Sequence, residues 1–388
     1  MSQAAETAEA APLIVHLIHR LDVGGLENGL VNLINNLPAD RYRHAIVCLK
    51  DYSDFHLRIQ RPGVEIISLN KREGKDWAHY FRLFQTLKRL RPSLIHTRNL
   101  SSIEGQLLAA AAGVRLRVHG EHGRDIDDLH GDKRRYRLMR KLLRPLIGHF
   151  IAVSKDLEAW LVSAIGAQPQ HVSHICNGVD SSQFHPRLGP PAAVGPAGFM
   201  SENAYVIGSV GRMAEVKDHA SLVRAFLILC SQDELAQERL RLMIIGDGPC
   251  RQACLKMLRD AGMADRAWLP GTRDDIPQLM RAMNVFVLPS LAEGASNTVL
   301  EAMASGLPVV ATAVGGNPDL VQCGWTGTLV PASSPHLLAD AIGTYYRMPD
   351  LAGDHGLRAR RRVLSEFSLI AMADAYLAVY DQLTQTPH

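Results

Sequence analysis

The sequence predicts an α/β protein with two domains, each a parallel sheet covered by helices, and two observations lead to this prediction. Short apolar runs alternate with amphipathic stretches along nearly the whole chain, which is the pattern of strand–helix–strand units. The 388 residues suffice for two or three domains, and a stretch rich in Pro, Gly and Ala at 187–200 separates two such series. We therefore expect domains at 1–186 and 201–366, a linker at 187–200 and a last helix within 367–388.

The first series opens with a strand candidate at 13–18, followed by Gly24, Gly25 and an amphipathic helix. A glycine turn between strand and helix lets a ligand approach the backbone, although a plain tight turn explains either glycine equally well. The spacing is not G-x-G-x-x-G, so a dinucleotide cofactor is disfavoured. Further strand candidates lie at 44–49, 64–69, 93–97, 116–119, 149–153 and 172–176, and helix candidates lie at 77–90, 102–112 and 155–165.

Two histidines, His119 and His122, follow the strand candidate near 116 in the sequence V-H-G-E-H-G-R-D. Ligands of parallel sheets bind beyond the carboxyl ends of the strands, and glycines beside both histidines give this loop the freedom of a site loop. A lone histidine is more often structural than catalytic, so the residues alone leave both as candidates for a role in chemistry.

A basic segment follows at 133–146, and the excess of positive charge lies in the first half of a chain whose net charge is only +3. One interpretation is a solvated helix with its apolar half on the domain core. The other is a basic surface that faces anionic lipid or a lipid diphosphate, and both stay open. On a helical wheel the apolar half holds Tyr136, Leu138, Met139, Leu142, Leu143 and Leu146, with Arg135 among them, and the other half holds Lys133, Arg134, Arg137, Arg140, Lys141 and Arg144.

The second series starts near Tyr205 with a strand, a loop and a helix, and the loop contains Gly211, Arg212 and Lys217. Isolated surface cations are the default interpretation of an Arg and a Lys five residues apart. At the carboxyl end of a strand they can instead clamp a diphosphate, with Arg as a two-pronged donor and Lys as a point charge. Strand and turn candidates continue through L-M-I-I-G-D-G-P and L-P-G-T-R-D-D-I, and helices are expected at 334–347, 355–366 and 369–383.

The most informative stretch is 287–306, where a strand, a loop and a helix follow one another. The apolar run Val285–Leu288 predicts a buried strand, and a helical period begins at Asn297 or Thr298. Gly294 permits a sharp turn between them. The start of a helix presents unpaired backbone N–H groups, so this loop is suited to an anion.

Two carboxylates flank this turn, Glu293 before it and Glu301 about one turn into the helix. Taken locally, Glu293 fits a solvated loop charge. Thr298-x-x-Glu301 fits a capping box, in which the carboxylate folds back onto the helix start. The local pattern alone favours these structural interpretations.

Several motifs that follow one another along the chain indicate a functional interpretation instead. The string E-G-A-S-N-T-V-L-E, followed by A-M-A-S-G-L-P-V-V-A-T, resembles the EX7E signature of family 4 retaining glycosyltransferases, also described as glycosyl transferases group 1. The G-G loop, E-H-G-R-D, N-G-V-D and V-G-R-x-x-x-x-K-D also resemble segments of that family. The resemblance implies the GT-B fold, with two Rossmann-like domains whose parallel sheets face each other across a central crevice, and a last helix that returns to the first domain.

The motifs of the first half are also similar to those of sugar transferases associated with exosortase and PEP-CTERM exopolysaccharide systems. After Glu293 and Gly294 many relatives carry a bulky residue, whereas Ala295 and Ser296 are small here, so the donor sugar stays open. The resemblance implies a metal-independent, hexosyl-transferring enzyme without a cofactor. Its donor would be a UDP- or GDP-sugar and its acceptor an oligosaccharide or a lipid-linked glycan, with no nucleic-acid partner.

The family pattern also implies roles for individual residues. Arg212 and Lys217 would hold the donor diphosphate, and Glu293 would hold the sugar. His122 would contact the 6-hydroxyl of the sugar or the reacting centre, and His119 is the second candidate for that role. Glu301 would accept hydrogen bonds from the ribose. The other donor-contact candidates are Gly24, Gly25, Gly211, Gly294, Ala295, Ser296, Asn297 and Thr298, with Thr272 and Arg273 near the base.

Bulk features suggest the compartment and limit the alternatives. Six scattered cysteines argue against a disulfide framework, and Cys250 and Cys254 lack further ligands for zinc. No apolar run approaches the roughly 18 residues of a spanning helix, and the first eleven residues lack a basic n-region. We expect a cytoplasmic protein, at the inner membrane face if the basic helix binds lipid. A nucleotide-sugar epimerase of the same fold and a non-catalytic nucleotide-sugar-binding subunit remain alternatives.

Overall fold

A computed structural model of the chain describes residues 11–74, 76–124, 128–129, 131–190 and 192–385. Most of the first eleven residues, which were expected not to form a secretory signal, lie outside these ranges. Asp125 of the E-H-G-R-D loop lies outside them as well. The described chain forms two compact units. The first consists of 11–153, 157–175 and 372–385, and the second of 154–156 and 176–371.

Seven described strands of the first unit form one parallel sheet in the order β3-β2-β1-β4-β5-β6-β7. The strands are β1 (Leu13–Ile18), β2 (Arg43–Cys48), β3 (Glu65–Ser68), β4 (Leu94–Arg98), β5 (Leu116–Glu121), β6 (His149–Ala152) and β7 (Val172–His174). The intervening helices are α1 (Gly25–Asn36), α2 (Ala78–Leu90), α3 (Gly105–Ala111), α4 (Arg134–Leu143) and α5 (Lys155–Trp160). The order reverses between β1 and β4, the point beside which open α/β sheets bind ligands.

Six described strands of the second unit form a parallel sheet in the order β10-β9-β8-β11-β12-β13, which reverses between β8 and β11. The strands are β8 (Tyr205–Val210), β9 (Leu240–Ile245), β10 (Ala267–Gly271), β11 (Val285–Leu288), β12 (Val309–Thr312) and β13 (Gly327–Val330). The helices of this unit are α6 (His219–Gln232), α7 (Glu234–Arg239), α8 (Arg251–Asp260), α9 (Ile276–Arg281), α10 (Asn297–Ala304), α11 (Asn317–Leu320), α12 (Pro335–Arg347) and α13 (Pro349–Glu366), and the last described helix of the chain is α14 (Leu369–Gln385). The predicted pair of parallel-sheet α/β units is confirmed.

The central strands are buried along their whole length because helices cover both faces of each sheet. This explains why they are continuous apolar runs instead of alternating patterns. Arg241 is the exception within β9. Its guanidinium donates to the Phe199 carbonyl at 2.6 Å, while the Phe199 ring is buried in the core of the second unit. The end of the predicted linker is thereby anchored.

Three boundaries differ from the predictions. Residues 176–186 belong to the second unit instead of the first, because Val179 lies in its core and its N–H donates to the Phe367 carbonyl at 2.9 Å. The helix predicted at 355–366 begins earlier, at Pro349. The end of the helix predicted at 155–165 winds as a π-helix over Leu161–Ile165.

The last helix, α14, joins the first unit from Met372 onward. Its Asp381 carboxylate pairs with Arg41 at 2.7 Å and accepts a hydrogen bond from the Tyr42 hydroxyl at 2.8 Å. The Tyr380 hydroxyl, which is buried, lies 2.7 Å from Nδ1 of His96 in β4. The chain end is therefore tied to the first sheet by polar contacts as well as by packing.

The basic segment folds as α4, but its faces are not those that the helical wheel predicted. Arg140, assigned to the charged surface, is buried. Leu138 and Leu142, assigned to the core side, are 57% and 68% exposed. The helix is rotated because a buried acid, Glu121 at the end of β5, binds Arg140 and draws that edge inward. Within the described residues, no helix combines the length and apolar character that a membrane crossing requires.

Candidate active site

Two loops of the second unit meet at the carboxyl edge of its sheet, beside the reversal between β8 and β11. The loop after β8 contains Arg212 and Lys217, and the loop after β11 contains Glu293. The Leu291 N–H donates to the Val216 carbonyl at 2.8 Å, which ties the two loops together. Three of the predicted site residues thus share one edge.

Glu293 has the most closely specified environment of the three. Its side chain is only 8% exposed, and Oε1 lies 2.5 Å from Nζ of Lys217. The Ser290 hydroxyl donates to the same oxygen at 2.6 Å. Ser290 is itself fully buried, and its carbonyl accepts a hydrogen bond from the Thr312 hydroxyl at 2.6 Å. The carboxylate is therefore fixed in one orientation and its charge is balanced.

This arrangement differs from the predicted diphosphate clamp of Arg212 and Lys217. Lys217 forms a salt bridge with Glu293, because a partly buried carboxylate needs an opposite charge nearby. The Arg212 side chain is exposed, and its guanidinium forms no hydrogen bond or ion pair with any residue that the structure describes. Arg212 is thus the cation of this edge that an incoming anion can pair with directly.

The loop that carries Glu293 lies against a glycine pair that the sequence analysis overlooked. A methyl group on Gly315 would lie 1.8 Å from the Glu293 carbonyl oxygen, and one on Gly316 would lie 2.1 Å from that of Gly294. Gly315 also has a φ of +51°, which favours glycine. The signal for this contact was present as the G-G-N-P sequence after β12.

The start of α10 completes the edge. The Ser296 side chain accepts a hydrogen bond from the Val299 N–H, so Ser296 is the N-cap and the capping box predicted with Thr298 is wrong. The Ala295 carbonyl accepts a hydrogen bond from the Asn177 amide at 3.1 Å. The first backbone N–H groups of the helix carry the positive end of its dipole.

The candidates for base contacts lie on the neighbouring loops. The Gly246 N–H donates to the Gly271 carbonyl and the Gly211 N–H to the Ile245 carbonyl, both at 2.9 Å, so the ends of β8, β9 and β10 form one rim. Thr272 and Arg273 follow on the exposed side. Arg273 is already paired twice with Asp275, at 2.9 and 2.8 Å, so a base contact by its side chain would compete with that pair.

In the first unit, Gly24 and Gly25 lie at the start of α1. Gly24 is the N-cap with extended backbone, so its φ does not require glycine. A methyl group there would lie 2.1 Å from a carboxylate oxygen of Glu27, the end of a flexible side chain. Burial raises the pKa of Glu27. The absence of a side chain at Gly24 therefore makes room for Glu27, which the sequence analysis had not singled out.

The two candidate histidines have different surroundings. His119 is fully buried, with Nδ1 2.7 Å from the Thr97 hydroxyl and Nε2 3.2 Å from the Glu121 carboxylate, so neither ring nitrogen is available to a substrate. His122 lies beyond β5 and is half-buried, and its backbone N–H donates to the Asn99 side chain at 2.7 Å. Of the two, only His122 is partly exposed.

Below this loop lies a buried ion pair. Arg140 donates to Glu121 twice, at 2.6 and 3.1 Å, and both residues are less than 5% exposed. The guanidinium carbons of Arg124 and Arg140 lie 5.0 and 5.1 Å from the centroid of the Trp160 ring. Burial alone would raise the pKa of Glu121, but the Arg140 charge and the His119 hydrogen bond outweigh it and lower the pKa to about 2.

This pair predicts a loss of stability in acid. The folded pKa of Glu121 lies below its unfolded value, so the stabilisation is complete above that value and is lost as the pH falls from about 5 towards 2. Glu121→Gln should lower the thermal midpoint at pH 7 by several degrees and flatten its dependence on pH in that window. Glu65→Gln, at a half-exposed pair with Arg89, is the control and should have little effect. Equal pH profiles of wild type and Glu121→Gln would contradict the assignment.

Side chains that could bind a metal are scattered over the described part of the chain. None of the six cysteines forms a disulfide in the structure. In the part of the chain that the structure describes, His, Cys, Asp and Glu side chains do not gather in threes as a metal site requires.

Comparison with known proteins identifies the family. The model of Glycosyltransferase Family 4 matches residues 23–183, and that of Glycosyl transferases group 1 matches residues 204–347. These two matches in succession make up most of the chain, which therefore belongs to the family 4 (group 1) glycosyltransferases and is an enzyme of that class.

Individual relatives agree with this. The chain is 24% identical to a UDP-Gal:alpha-D-GlcNAc-diphosphoundecaprenol alpha-1,3-galactosyltransferase of Escherichia coli, over 89% of this chain and 90% of that protein. It is 33% identical to the lipopolysaccharide core biosynthesis mannosyltransferase LpcC of Rhizobium leguminosarum bv. viciae, over 54% of this chain and 59% of that protein. The structure of HepE from Anabaena, in complex with UDP and glucose, superposes with a TM-score of 0.78 at 20% identity, covering 96% of this chain and all of that one. That likeness confirms the GT-B type of fold.

Proposed function

We propose that the enzyme transfers a sugar from a nucleoside diphosphate sugar to a hydroxyl group, with retention of the anomeric configuration and without a metal ion. The observation that carries the proposal is the fixed Glu293 carboxylate beside the exposed Arg212 and the start of α10, at the ligand-binding edge of the second sheet. A negative group for the sugar thus lies beside positive groups for a diphosphate. HepE binds UDP, which supports a UDP-sugar as the donor.

The positive and negative groups of the site match the charges that develop as the glycosidic bond of the donor breaks. The bond between the anomeric carbon and the diphosphate oxygen breaks, and negative charge gathers on the leaving group. Arg212 and the first N–H groups of α10 stabilise that charge. Glu293 holds the sugar and stabilises positive charge at the anomeric carbon, while Lys217 holds the carboxylate in place. The acceptor oxygen forms the new bond and passes its proton to the departing phosphate oxygen, so no separate base is needed.

The other predicted contacts complete the proposal. Glu301 accepts hydrogen bonds from the ribose hydroxyls, and Thr272 lies near the base. His122 contacts the transferred sugar, at its 6-hydroxyl or near the reacting centre. The donor is a UDP- or GDP-hexose, and the small Ala295 and Ser296 leave the identity of its sugar open.

An assay of transfer tests this proposal. UDP-glucose, UDP-galactose and GDP-mannose are offered in turn with a polyprenyl-diphosphate sugar as acceptor, in the presence of EDTA. We expect one donor to give a product whose new linkage has the configuration of the donor, as read from the NMR coupling of the anomeric proton. An inverted linkage would contradict the retaining mechanism. Epimerised nucleotide sugar in a reaction without acceptor would identify an epimerase instead.

We propose a lipid-linked glycan as the acceptor, in exopolysaccharide or cell-surface glycan synthesis of the kind associated with exosortase and PEP-CTERM systems. The Escherichia coli relative acts on a diphosphoundecaprenol-linked sugar, which supports this acceptor class. The reaction would then take place at the inner face of the membrane.

The exposed face of α4 supports a membrane contact. Leu138 and Leu142 are one helical turn apart and exposed, and Arg134, Arg135 and Lys141 beside them are exposed as well. A buried leucine contributes about 1.5 to 3 kcal/mol, and each cation about 1 kcal/mol near an anionic surface. Apolar side chains ringed by cations fit the interface of an anionic bilayer.

This face predicts binding to anionic vesicles. The protein should sediment with phosphatidylglycerol vesicles, less so as salt is added, and the double variant Leu138→Ser/Leu142→Ser should lose most of the bound fraction. Leu107→Ser, at an exposed leucine of α3, is the control and should bind normally. Equal sedimentation with neutral phosphatidylcholine vesicles, or none with either, would contradict the contact.

A further inference from the structure

A row of buried polar groups lies inside the first unit, where a sheet covered on both faces ordinarily carries apolar side chains. His44, His16 and His96 are direct neighbours across β2, β1 and β4, and none is more than 2% exposed. Arg98, two residues beyond His96 and on the same face, is buried as well, and Tyr380 of α14 packs against them. Burying such groups is costly unless they are bonded to one another. The proposed mechanism does not use them.

The donor and the acceptor of each hydrogen bond in this polar row follow from Arg98, which can only donate. Arg98 donates to Nδ1 of His16 at 3.1 Å, and His16 Nε2 lies 3.0 Å from Nδ1 of His44. The Tyr380 hydroxyl lies 2.7 Å from Nδ1 of His96 and also interacts with Arg98. A guanidinium can only donate, so the positive charge of Arg98 favours the arrangement in which the Tyr380 lone pairs face Arg98 and the hydroxyl proton points to His96. His96 then carries its own proton on Nε2.

The polar row ends at His122. At Gly120, which pairs with Arg98 across β4 and β5, a methyl group would lie 2.7 Å from Nε2 of His122 and 3.0 Å from Nε2 of His96. Both nitrogens therefore face the same space above Gly120. Both are enclosed, and neither has a hydrogen-bond partner among the described residues. Glycine is needed here because any side chain would fill that space.

We propose that His96, Arg98 and Tyr380 are positioning residues that hold His122 in the tautomer with its proton on Nδ1, so that His122 donates a hydrogen bond to an oxygen of the transferred sugar. The inference rests on the proposed contact between His122 and the sugar. The His96 Nε2 proton faces the lone pair on Nε2 of His122 through one bridging hydroxyl or water, which leaves the His122 proton on the other ring nitrogen.

The charge state of His122 agrees with this role. Burial, and then the nearby Arg98 guanidinium, lower the pKa of His122 to about 3. The ring is therefore neutral at the pH values at which most enzymes work. A neutral ring with its outer nitrogen protonated acts as a hydrogen-bond donor and does not take a proton from the acceptor there.

The wild-type protein gives the first test. With 15N-labelled histidine, long-range proton–nitrogen NMR distinguishes the two neutral tautomers, and the His122 signals are assigned by their loss in His122→Gln. We expect His122 to be protonated on Nδ1 without any ligand added. Protonation on Nε2 would overturn the proposal. The measurement needs neither donor nor turnover, so its outcome is separate from that of the transfer assay.

Tyr380→Phe tests the coupling, because it keeps the ring and removes the hydroxyl that fixes His96. The His122 signals should shift towards a mixture of tautomers, and kcat/KM for the donor should fall about fivefold to tenfold. Tyr345→Phe is the matched control: it removes a buried hydroxyl that lies 2.7 Å from Nδ1 of His355 in the second unit. It should change neither quantity. Unchanged His122 signals in Tyr380→Phe would overturn the positioning role.

Discussion

Replacing Arg212 with alanine is expected to lower kcat/KM for sugar transfer by about 10²- to 10³-fold, the usual cost of removing one donor to developing charge. The Arg212 guanidinium is exposed at the edge where the sheet order reverses, and no described residue competes for it. The loss should be larger in kcat than in KM, because charge on the diphosphate increases as the bond breaks. Steady-state kinetics with the donor found in the transfer assay give both constants.

The folded state should hardly change in Arg212→Ala, since the side chain contributes no contact to the core. Arg259→Ala, at an exposed arginine of α8 without a bonded partner among the described residues, is the matched control and should keep wild-type kinetics. A wild-type kcat/KM in Arg212→Ala would show that the donor phosphates bind elsewhere.

Replacing Glu293 with glutamine is expected to lower kcat by about 10²-fold, because a charge-assisted hydrogen bond is worth about 1.5 to 3 kcal/mol. Glutamine keeps the shape and the bond to Ser290 but loses the negative charge near the anomeric carbon. KM should change less than kcat. Glu215→Gln, an exposed carboxylate in the turn that contains Lys217, is the control and should retain activity.

A double-mutant cycle separates the two roles of Lys217. If Lys217 acts by holding Glu293, as their 2.5 Å contact indicates, Lys217→Met should be costly alone but add little to Glu293→Gln. Fully additive losses would mean that Lys217 contacts the donor independently, as the sequence analysis had predicted.

Much of the fold follows from local patterns. The run Val285–Leu288 could be assigned as a strand because both faces of a central parallel strand are buried, and the helix start at Asn297 followed from the change of period. Motifs along the chain placed Arg212, Glu293 and Glu301 in one family pattern. These predictions needed only neighbours in sequence.

The contacts that set the site geometry could not be predicted in this way. The partner of Glu293 is 76 residues away, and its second partner, Ser290, looked like an ordinary loop residue. Helical periodicity predicted that Arg140 lies on the surface. Periodicity depends only on the polarity of each side chain and takes no account of its bonding partners. The acid Glu121, at the buried end of a strand, was the available sign that a cation must turn inward.

The same limit applies to His122. Its distance from the polar row depends on the absence of a side chain at Gly120 and on a tyrosine of the last helix, far along the chain. No local motif encodes that combination.

The most direct test of a donor site at the edge of the second sheet is thermal unfolding in EDTA with UDP, GDP, ADP or NAD added in turn, for wild type and Arg212→Ala. At about 100 times its dissociation constant a ligand stabilises the folded state by about 2.7 kcal/mol, which shifts the midpoint by several degrees. We predict that UDP or GDP stabilises the wild type and that the shift is lost in Arg212→Ala. Stabilisation by NAD alone, or an equal shift in both proteins, would contradict the account.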